Sequence, residues 1–505
     1  MKNPFLYLNI IFLIFLSACK KEVTTIVNND TIQLNDTIQL KDALDDLISN
    51  YIKDSYYQGN ILVAKGDSIL YISSSGLANI EKELANTNDA IFEIASIGKS
   101  FTATMILQLV EVGKLSLNDS LVQFKTLNLD KRYNEISINQ ILNHTSGIVD
   151  HDNVDGFFTK ISVKDQKREE LIALINNSSL LFKPGTDFRY SNFGYNILAF
   201  LIEDITGKSF DENLLVSITN PLNLNHTYRK IGLPKFDKES LPYTYNIFQE
   251  SHIAKPYSHS VDIGAGGIYS NIYDMLKWSN SFNQNALISQ TSKDIMFQPN
   301  EYGWGYGWEK RTIEIDSLNK IEYMSHGGLA NGYWGILTKV EDYTIVILSN
   351  HRPNEIILNN IRPIPIRFIN KNIIRTLFKK TILPYNSSLA RKFSKVIKTG
   401  DLEALIPKLN EKIGEYNYNE DEIMVVGYEL LDLGQTEKGI DIFNYMLSKT
   451  KNYGLVNECL GDAHFYYTKN FKEAQTFYKK AFQYNPENSY LTTQIKKTDF
   501  EITTN

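Results

Sequence analysis

Two cysteines in 505 residues exclude a disulfide-stapled scaffold and a four-thiolate zinc site. Basic residues fall short of acidic ones, 52 Lys+Arg against 58 Asp+Glu, so the chain lacks the cationic surplus with which nucleic-acid binders neutralise phosphates. The eight histidines show no His-x-x-x-His or comparable spacing, which removes the common metalloenzyme pattern and leaves no expected metal or other cofactor. Long apolar runs are also scarce. The run from Phe5 to Leu16 spans roughly a dozen residues, short of the ~20 that a membrane-spanning helix needs. The remaining composition, 43% hydrophobic and 22% charged, is that of a folded globular chain. Its length suits about three domains of ~150 residues each.

The start of the chain reads as an address. Met1-Lys2-Asn3 gives a short positive segment before the apolar run, the layout of a signal peptide. Leu16-Ser17-Ala18-Cys19 resembles the lipobox of bacterial lipoproteins. That resemblance implies removal of residues 1–18, lipidation of Cys19, and a cell-envelope location at the outer membrane, facing the periplasm or the cell surface. Cys459 is then left without a partner and is expected to be a small buried hydrophobe. Residues 19–41 read as a polar tether. Their hexads Asp30-Thr-Ile-Gln-Leu-Asn35 and Asp36-Thr-Ile-Gln-Leu-Lys41 alternate enough to form a short exposed strand instead.

Residues 42–380 alternate between element types. Ala43 to Ile52 is amphipathic and predicts a helix. Asn60–Lys65 and Ser68–Ile72 predict strands joined at Gly66-Asp67, a hairpin signal. The middle predicts helices at Ser100–Gly113, Asn139–Asn143, Asn192–Thr206 and Asn271–Phe282. Strand signal returns at Lys320–Ser325, Gly335–Val340 and Tyr343–Leu348. This order predicts an α/β domain in which strands from both ends share one antiparallel sheet flanked by helices, with a helical insert between. Residues 381–505 have helical periodicity throughout. Val426-Gly427 and Leu460-Gly461 stand 34 residues apart, and Gly439 and Ala474 stand 35 apart, a spacing that resembles tetratricopeptide repeats. Ser388 to Glu415 reads as another, more degenerate helix pair.

Three segments carry chemistry. Ser96-Ile-Gly-Lys99 places a serine where a helix opens and a lysine one turn on, on the same face. A neutral Lys99 amine could take the serine proton if burial or nearby positive charge lowers its pKa well below ~10.4. Ser-x-x-Lys alone says little, since Ser17, Ser317 and Ser448 also precede a lysine by three positions. In Tyr190-Ser-Asn192, an extended backbone would turn the phenol and the amide into one cavity. In Ser325-His326-Gly327-Gly328, the glycines allow a substrate backbone to lie along the strand edge, and the amide N–H of Leu329 could join that of Ser96 as an oxyanion hole.

Taken in order, these motifs resemble the serine β-lactamase and penicillin-binding-protein superfamily, in its class C-like branch. Ser96-Ile-Gly-Lys99, Tyr190-Ser-Asn192 and His326-Gly327-Gly328 match its Ser-x-x-Lys, Tyr-x-Asn and Lys/His-x-Gly elements. Ile141–Gly147, Gly264–Ser270 and Tyr302–Trp308 also resemble the family, and the likeness covers roughly residues 42–375. It implies a β-lactamase-like fold with the site between sheet domain and helical insert, and an acyl-enzyme mechanism. Ser96 would be the nucleophile, Lys99 and Tyr190 would share the base role, His326 would serve as the strand motif, and Asn192, Gly328 and Leu329 would bind substrate. His326 stands where β-lactamases carry lysine. A mostly neutral imidazole anchors a substrate carboxylate weakly.

The resulting expectation is an envelope serine hydrolase acting on a small-molecule or peptidoglycan-peptide carbonyl, as a D-alanyl peptidase, esterase or β-lactamase. The alternative is a scaffold whose repeats recruit a protein or peptide partner while the hydrolase domain turns over weakly or not at all. The repeats could equally pad the catalytic domain. His144 is expected to stabilise a helix terminus.

Overall fold

A computed structural model describes residues 29–53, 57–229, 237–246, 250–254, 257–314, 320–354, 365–380 and 420–504. The segments expected to be a signal peptide, with Cys19, and a degenerate helix pair, at Ser388–Glu415, lie outside the described residues.

The centre is a six-stranded antiparallel sheet. Its strands are β1 (Gly59–Lys65), β2 (Ser68–Ser75), β3 (Glu309–Glu314), β4 (Lys320–Leu329), β5 (Trp334–Val340) and β6 (Tyr343–Ser349), in the order β3-β4-β5-β6-β1-β2. The neighbouring strands β6 and β1 come from opposite ends of the domain, with Gly59 opposite Ser349 and Lys65 opposite Tyr343. Gly66, at φ +56°, closes the β1–β2 hairpin in a conformation that costs glycine nothing.

Alternate residues of these strands feed two separate cores, which is why β1 reads as a continuous apolar run. Ile61, Val63, Ile345 and Ile347 face helices α1 (Asn29–Lys53) and α5 (Pro365–Leu377). Leu62, Ala64, Val346 and Leu348 face the larger core built with α2 (Lys99–Glu111), α3 (Asn192–Thr206) and α4 (Ile272–Ser281). Phe101 of α2 stacks on Trp278 of α4 with centroids 3.9 Å apart, locking these two helices together.

The supposed tether is corrected over part of its length. From Asn29 the chain is already helical, so the two hexads form neither a strand nor an irregular spacer. The cause is visible in the packing, since Leu40, Leu44, Leu47, Ile48 and Tyr51 make one helical stripe against the sheet and the helix extends upstream from it. Strand β3 was not expected either, because Glu309-Lys-Arg-Thr-Ile-Glu314 is highly charged. It is an edge strand, where charge discourages pairing with another chain.

The C-terminal unit is all-helical: α6 (Glu420–Asp432), α7 (Thr436–Leu447), α8 (Tyr453–Asp462), α9 (Phe471–Tyr484) and α10 (Ser489–Thr504). The same contact recurs in successive helix pairs. A Cβ built on Gly427 would come within 2.3 Å of the Phe443 ring, and one on Gly461 within 2.5 Å of the Tyr478 ring. The Asp462 carboxylate accepts hydrogen bonds from the hydroxyls of Tyr428, Tyr478 and Tyr490, tying three helices to one point. Cys459 is a free, buried thiol in this core, as expected. The unit rests on the sheet-containing domain through Tyr245, buried in its core, and through a 2.6 Å hydrogen bond from Asn354 to Glu429.

Candidate active site

Ser96 lies on a single 3₁₀ turn, Ala95–Gly98, that runs directly into α2. The turn is forced. Ala95 takes φ +46°, a conformation that a residue with a Cβ adopts only under constraint. Phe92-Glu93 pairs with Tyr269-Ser270, and the Ile94 N–H donates to the Ile268 carbonyl at 2.8 Å, fastening the turn from behind. Gly328, near the end of β4, fits against it so closely that a Cβ there would stand 2.1 Å from the Ile94 carbonyl oxygen. That close approach brings the edge of β4, and with it Leu329, beside Ser96.

Lys99 is fully buried, with its Nζ 3.1 Å from Ser96 Oγ. Nζ also donates to Asn192 Oδ1 at 2.6 Å and to the Ala265 carbonyl at 2.9 Å. Both acceptors are held by further bonds. Asn192 donates through its backbone N–H and Nδ2 to Asp150, which fixes Oδ1 as the atom turned to the lysine. The loop carrying Ala265 is pinned where Thr102 and Asn196 bond to Gly264. Burial lowers the Lys99 pKa to about 7, against the opposing pull of Asp262 and Asp150. A neutral amine has two N–H donors and one lone pair. With Asn192 and Ala265 taking the donors, the lone pair is left for the Ser96 hydroxyl.

Ser191 makes the Tyr190–Asn192 geometry. Its extended backbone, φ −140° and ψ 115°, sends Tyr190 and Asn192 to one side. Its own hydroxyl turns the other way, accepting from Gly194 N–H as the cap of α3 and donating to the Val149 carbonyl. The Tyr190 ring covers Lys99 Nζ at 4.8 Å, and its hydroxyl is within reach of Ser96. Burial raises the Tyr190 pKa well above the ordinary phenol value, so the resting group is neutral. The Tyr190 hydroxyl stands 3.4 Å from His326 Nε2. Because His326 Nδ1 lies 2.7 Å from the Gly307 carbonyl, Nδ1 carries the proton and Nε2 is the acceptor. Burial and Lys99 lower the His326 pKa to about 3, so this imidazole is neutral at every physiological pH.

Ser96, Lys99, Tyr190, Asn192, His326, Gly328 and Leu329 therefore converge. Several partners escaped sequence reading. Asp150 and Asp262 sit in no motif, and the carbonyls of Ala265 and Gly307 carry no side-chain signature. His144 stands at a helix terminus as expected, its Nδ1 accepting the N–H of Ser191, the N-cap of α3. Its ring also stacks on Tyr190 at 4.4 Å, a bracing of the phenol that was not expected. The Ile141–Gly147 motif was the available signal. Ser96, Asn192, Asp262, Ala265 and Leu329 line a cavity of about 460 Å³.

The Beta-lactamase family profile matches residues 44–359. The chain belongs to the beta-lactamase family. It is a serine hydrolase of the β-lactamase and penicillin-binding-protein type. Among similar proteins, penicillin-binding protein 4* of Bacillus subtilis (strain 168) is 28% identical over 316 residues, 58% of this chain and 68% of that one. Protein flp of Staphylococcus aureus (strain MRSA252) is 26% identical over 322 residues, 61% of this chain but only 62% of flp's own length. A D-amino acid amidase from Ochrobactrum anthropi SV3, complexed with L-phenylalanine amide, superposes with TM-score 0.58 at 19% identity, covering 69% of this chain and 99% of the amidase. An octameric penicillin-binding-protein homologue from Pyrococcus abyssi gives 0.57 at 24%, covering 70% and 80%. At these identities the structural likeness is one of fold. It includes the antiparallel sheet with flanking helices, and the helical C-terminal unit lies beyond the matched family region.

Proposed function

We propose that this beta-lactamase-family hydrolase cleaves an amide, peptide or ester carbonyl through an acyl-enzyme on Ser96. One observation carries the reading: a buried Lys99 with pKa about 7, both of whose N–H donors are engaged, 3.1 Å from a serine hydroxyl. Lys99 takes the serine proton as Oγ bonds to the carbonyl carbon. The N–H groups of Ser96 and Leu329 hold the oxyanion. Tyr190, neutral at rest, is suited to hand a proton to the leaving group and not to act as the first base. Water then releases the acyl group by the reverse sequence.

Asn192 and Asp150 orient the amine. His326 serves as a neutral acceptor for Tyr190 and offers no charge to a substrate carboxylate. Efficient turnover of β-lactams that rely on such an anchor is therefore not expected, and peptidase, amidase or esterase activity is the better fit. The constellation of serine, lysine and phenol has no use in a pure scaffold, so turnover is favoured over the binding-only alternative.

The rest of the chain completes the proposal. Residues 1–18 direct export, Cys19 is lipidated, and the hydrolase at 42–380 is held at the cell envelope. Residues 381–505 are tetratricopeptide-type repeats, a reading supported by the recurrent Gly427–Phe443 and Gly461–Tyr478 contacts. Mass spectrometry after treatment with a fluorophosphonate tests the core of this. The adduct is expected on Ser96 and absent from Ser96→Ala, while Lys99→Met slows its formation by about 10²–10⁴-fold. An adduct on another serine refutes the assignment.

A further inference from the structure

Two large hydrophobic side chains that line the Ser96 cavity stand half open to solvent, Phe158 at 48% exposure and Leu329 at 46%. The lining puts this cavity on the acyl side of the reaction. It includes Ser96, Asn192, Ala265 and Leu329, while Tyr190 and His326 are not among its described lining residues. The leaving group that Tyr190 protonates therefore departs outside the cavity, which is left to the acyl chain. Five aromatic rings line it, those of Phe157, Phe158, Tyr257, Tyr269 and Tyr333. Phe157, Tyr269 and Tyr333 are buried in the larger core and form a fixed wall. Phe158 and Tyr257 keep ring surface open, with centroids 5.8 Å apart and planes at 45°. They make a corner in which an incoming ring can meet one face-on and the other edge-on, the arrangements that aromatic groups prefer. Phe157 backs this corner, edge-on to Phe158 at 5.3 Å. Its two sides are also tied to each other. Phe158 is carried by the turn Phe157–Ile161, which Gly156 opens at φ +71°. Just beyond that turn the Ser162 carbonyl accepts the N–H of Ser258 at 2.7 Å, and the Gln166 N–H donates to Ser260 Oγ at 2.8 Å. Two rings far apart along the chain are thus fixed relative to each other before a ligand arrives, which spares an ordering cost on binding. Glu93 and Arg352 also line the cavity, but at 7% and 3% exposure they present little surface to a ligand. A volume of about 460 Å³ has room for a ring on a short chain.

We propose that the acyl group taken up by Ser96 carries an aromatic ring on a short chain, seated in the corner between Phe158 and Tyr257. The proposal rests on Ser96 being the nucleophile, and the test separates the two. Boronic acids suit it, because boron adds the serine oxygen reversibly as the carbonyl carbon would, and so sets its carbon chain where the acyl chain lies. The 2-phenylethyl, 2-cyclohexylethyl and butyl compounds are each used to compete with fluorophosphonate labelling of the full chain. The phenyl compound is expected to protect Ser96 at a concentration lower by at least about tenfold than the butyl compound, the effect of burying a ring. It is expected to surpass the cyclohexyl compound, which has the same reach but no π face, by at least about twofold. In Phe158→Ala, whose half-exposed ring leaves no hole in the core, the advantage over butyl is expected to fall to about threefold or less. Tyr257→Ala tests the other side of the corner independently, with the same expectation. Because all three compounds compete against one labelling reaction, any change in Ser96 reactivity cancels from the ratio. A smaller advantage over either compound, no protection by the phenyl compound, or an advantage that survives both substitutions overturns the proposal while leaving the hydrolase intact. Failure of Ser96 to label at all removes the underlying reading, and this one with it.

Discussion

At the residue scale, the site works because each polar group has one assigned role. Asp150 fixes the Asn192 amide, Asn192 and Ala265 occupy the lysine donors, and the lone pair is what remains. Removing any anchor frees Nζ to rotate, so the effect of a substitution exceeds the energy of its own bond. Gly328 makes the same point through space. Gly328→Ala sets a methyl group 2.1 Å from the Ile94 carbonyl oxygen, backbone against backbone, and must push β4 away from the Ser96 turn. Catalytic efficiency is expected to fall by about 10²-fold, the usual result of an ångström-scale misplacement, with the fold retained. Steady-state kinetics alongside circular dichroism checks this, and full activity would show that Leu329 does not complete the oxyanion hole.

The residue scale is also where sequence reading succeeded and failed for clear reasons. Ser96, Lys99, Tyr190 and His326 were legible because their chemistry lies in side chains at motif spacing. The carbonyls of Ala265 and Gly307 were not, since every residue has a carbonyl and only the fold says which one is aimed. Asp150 and Asp262 were hidden by being unexceptional acids.

At the element scale, short devices set the register of long ones. Ser191 caps α3 and at the same time turns Tyr190 and Asn192 toward the lysine. Ser191→Ala removes the cap and leaves the Val149 carbonyl without this donor, and is expected to cost about 1–2 kcal/mol in chemical denaturation. Its larger consequence should be a loss of activity out of proportion to that destabilisation, because the first turn of α3 carries Asn192. Unchanged activity with the expected destabilisation would mean that the site is positioned by α3 packing alone. The strands of the central sheet were readable from their apolar runs, and α3 from its periodicity. Strand β3 was not, because edge position selects for charge. The helical hexads of α1 were not, because Asp, Thr and Ile are poor helix formers and only the stripe from Leu40 to Tyr51 carries them.

At the scale of the whole molecule, the C-terminal helices and the active-site cavity share a piece of chain. Tyr245 is buried in the helical core, its strand pairs in parallel with His351–Pro353, and Arg352 of that strand lines the cavity. Deleting residues 381–505 uncovers Tyr245 and removes the Asn354–Glu429 bond. A lower melting temperature of the hydrolase domain and a raised KM with little change in kcat are expected, since the cavity wall is affected and the Ser96–Lys99 pair is not. A truncated protein with unchanged melting temperature and KM would show that the C-terminal helices are independent of the catalytic domain.

Attack by Ser96 requires Lys99 to be uncharged. The most direct measurement is the pH dependence of the second-order rate at which a fluorophosphonate phosphonylates Ser96 with loss of fluoride. A lysine whose pKa burial has lowered to about 7 is protonated and useless as a base below that pH, and competent above it. The rate is expected to rise with pH through a single midpoint near 7, reach a plateau, and lose this rise in Lys99→Met. A rate that is flat across that range, or a midpoint that persists in the Lys99→Met protein, would contradict it.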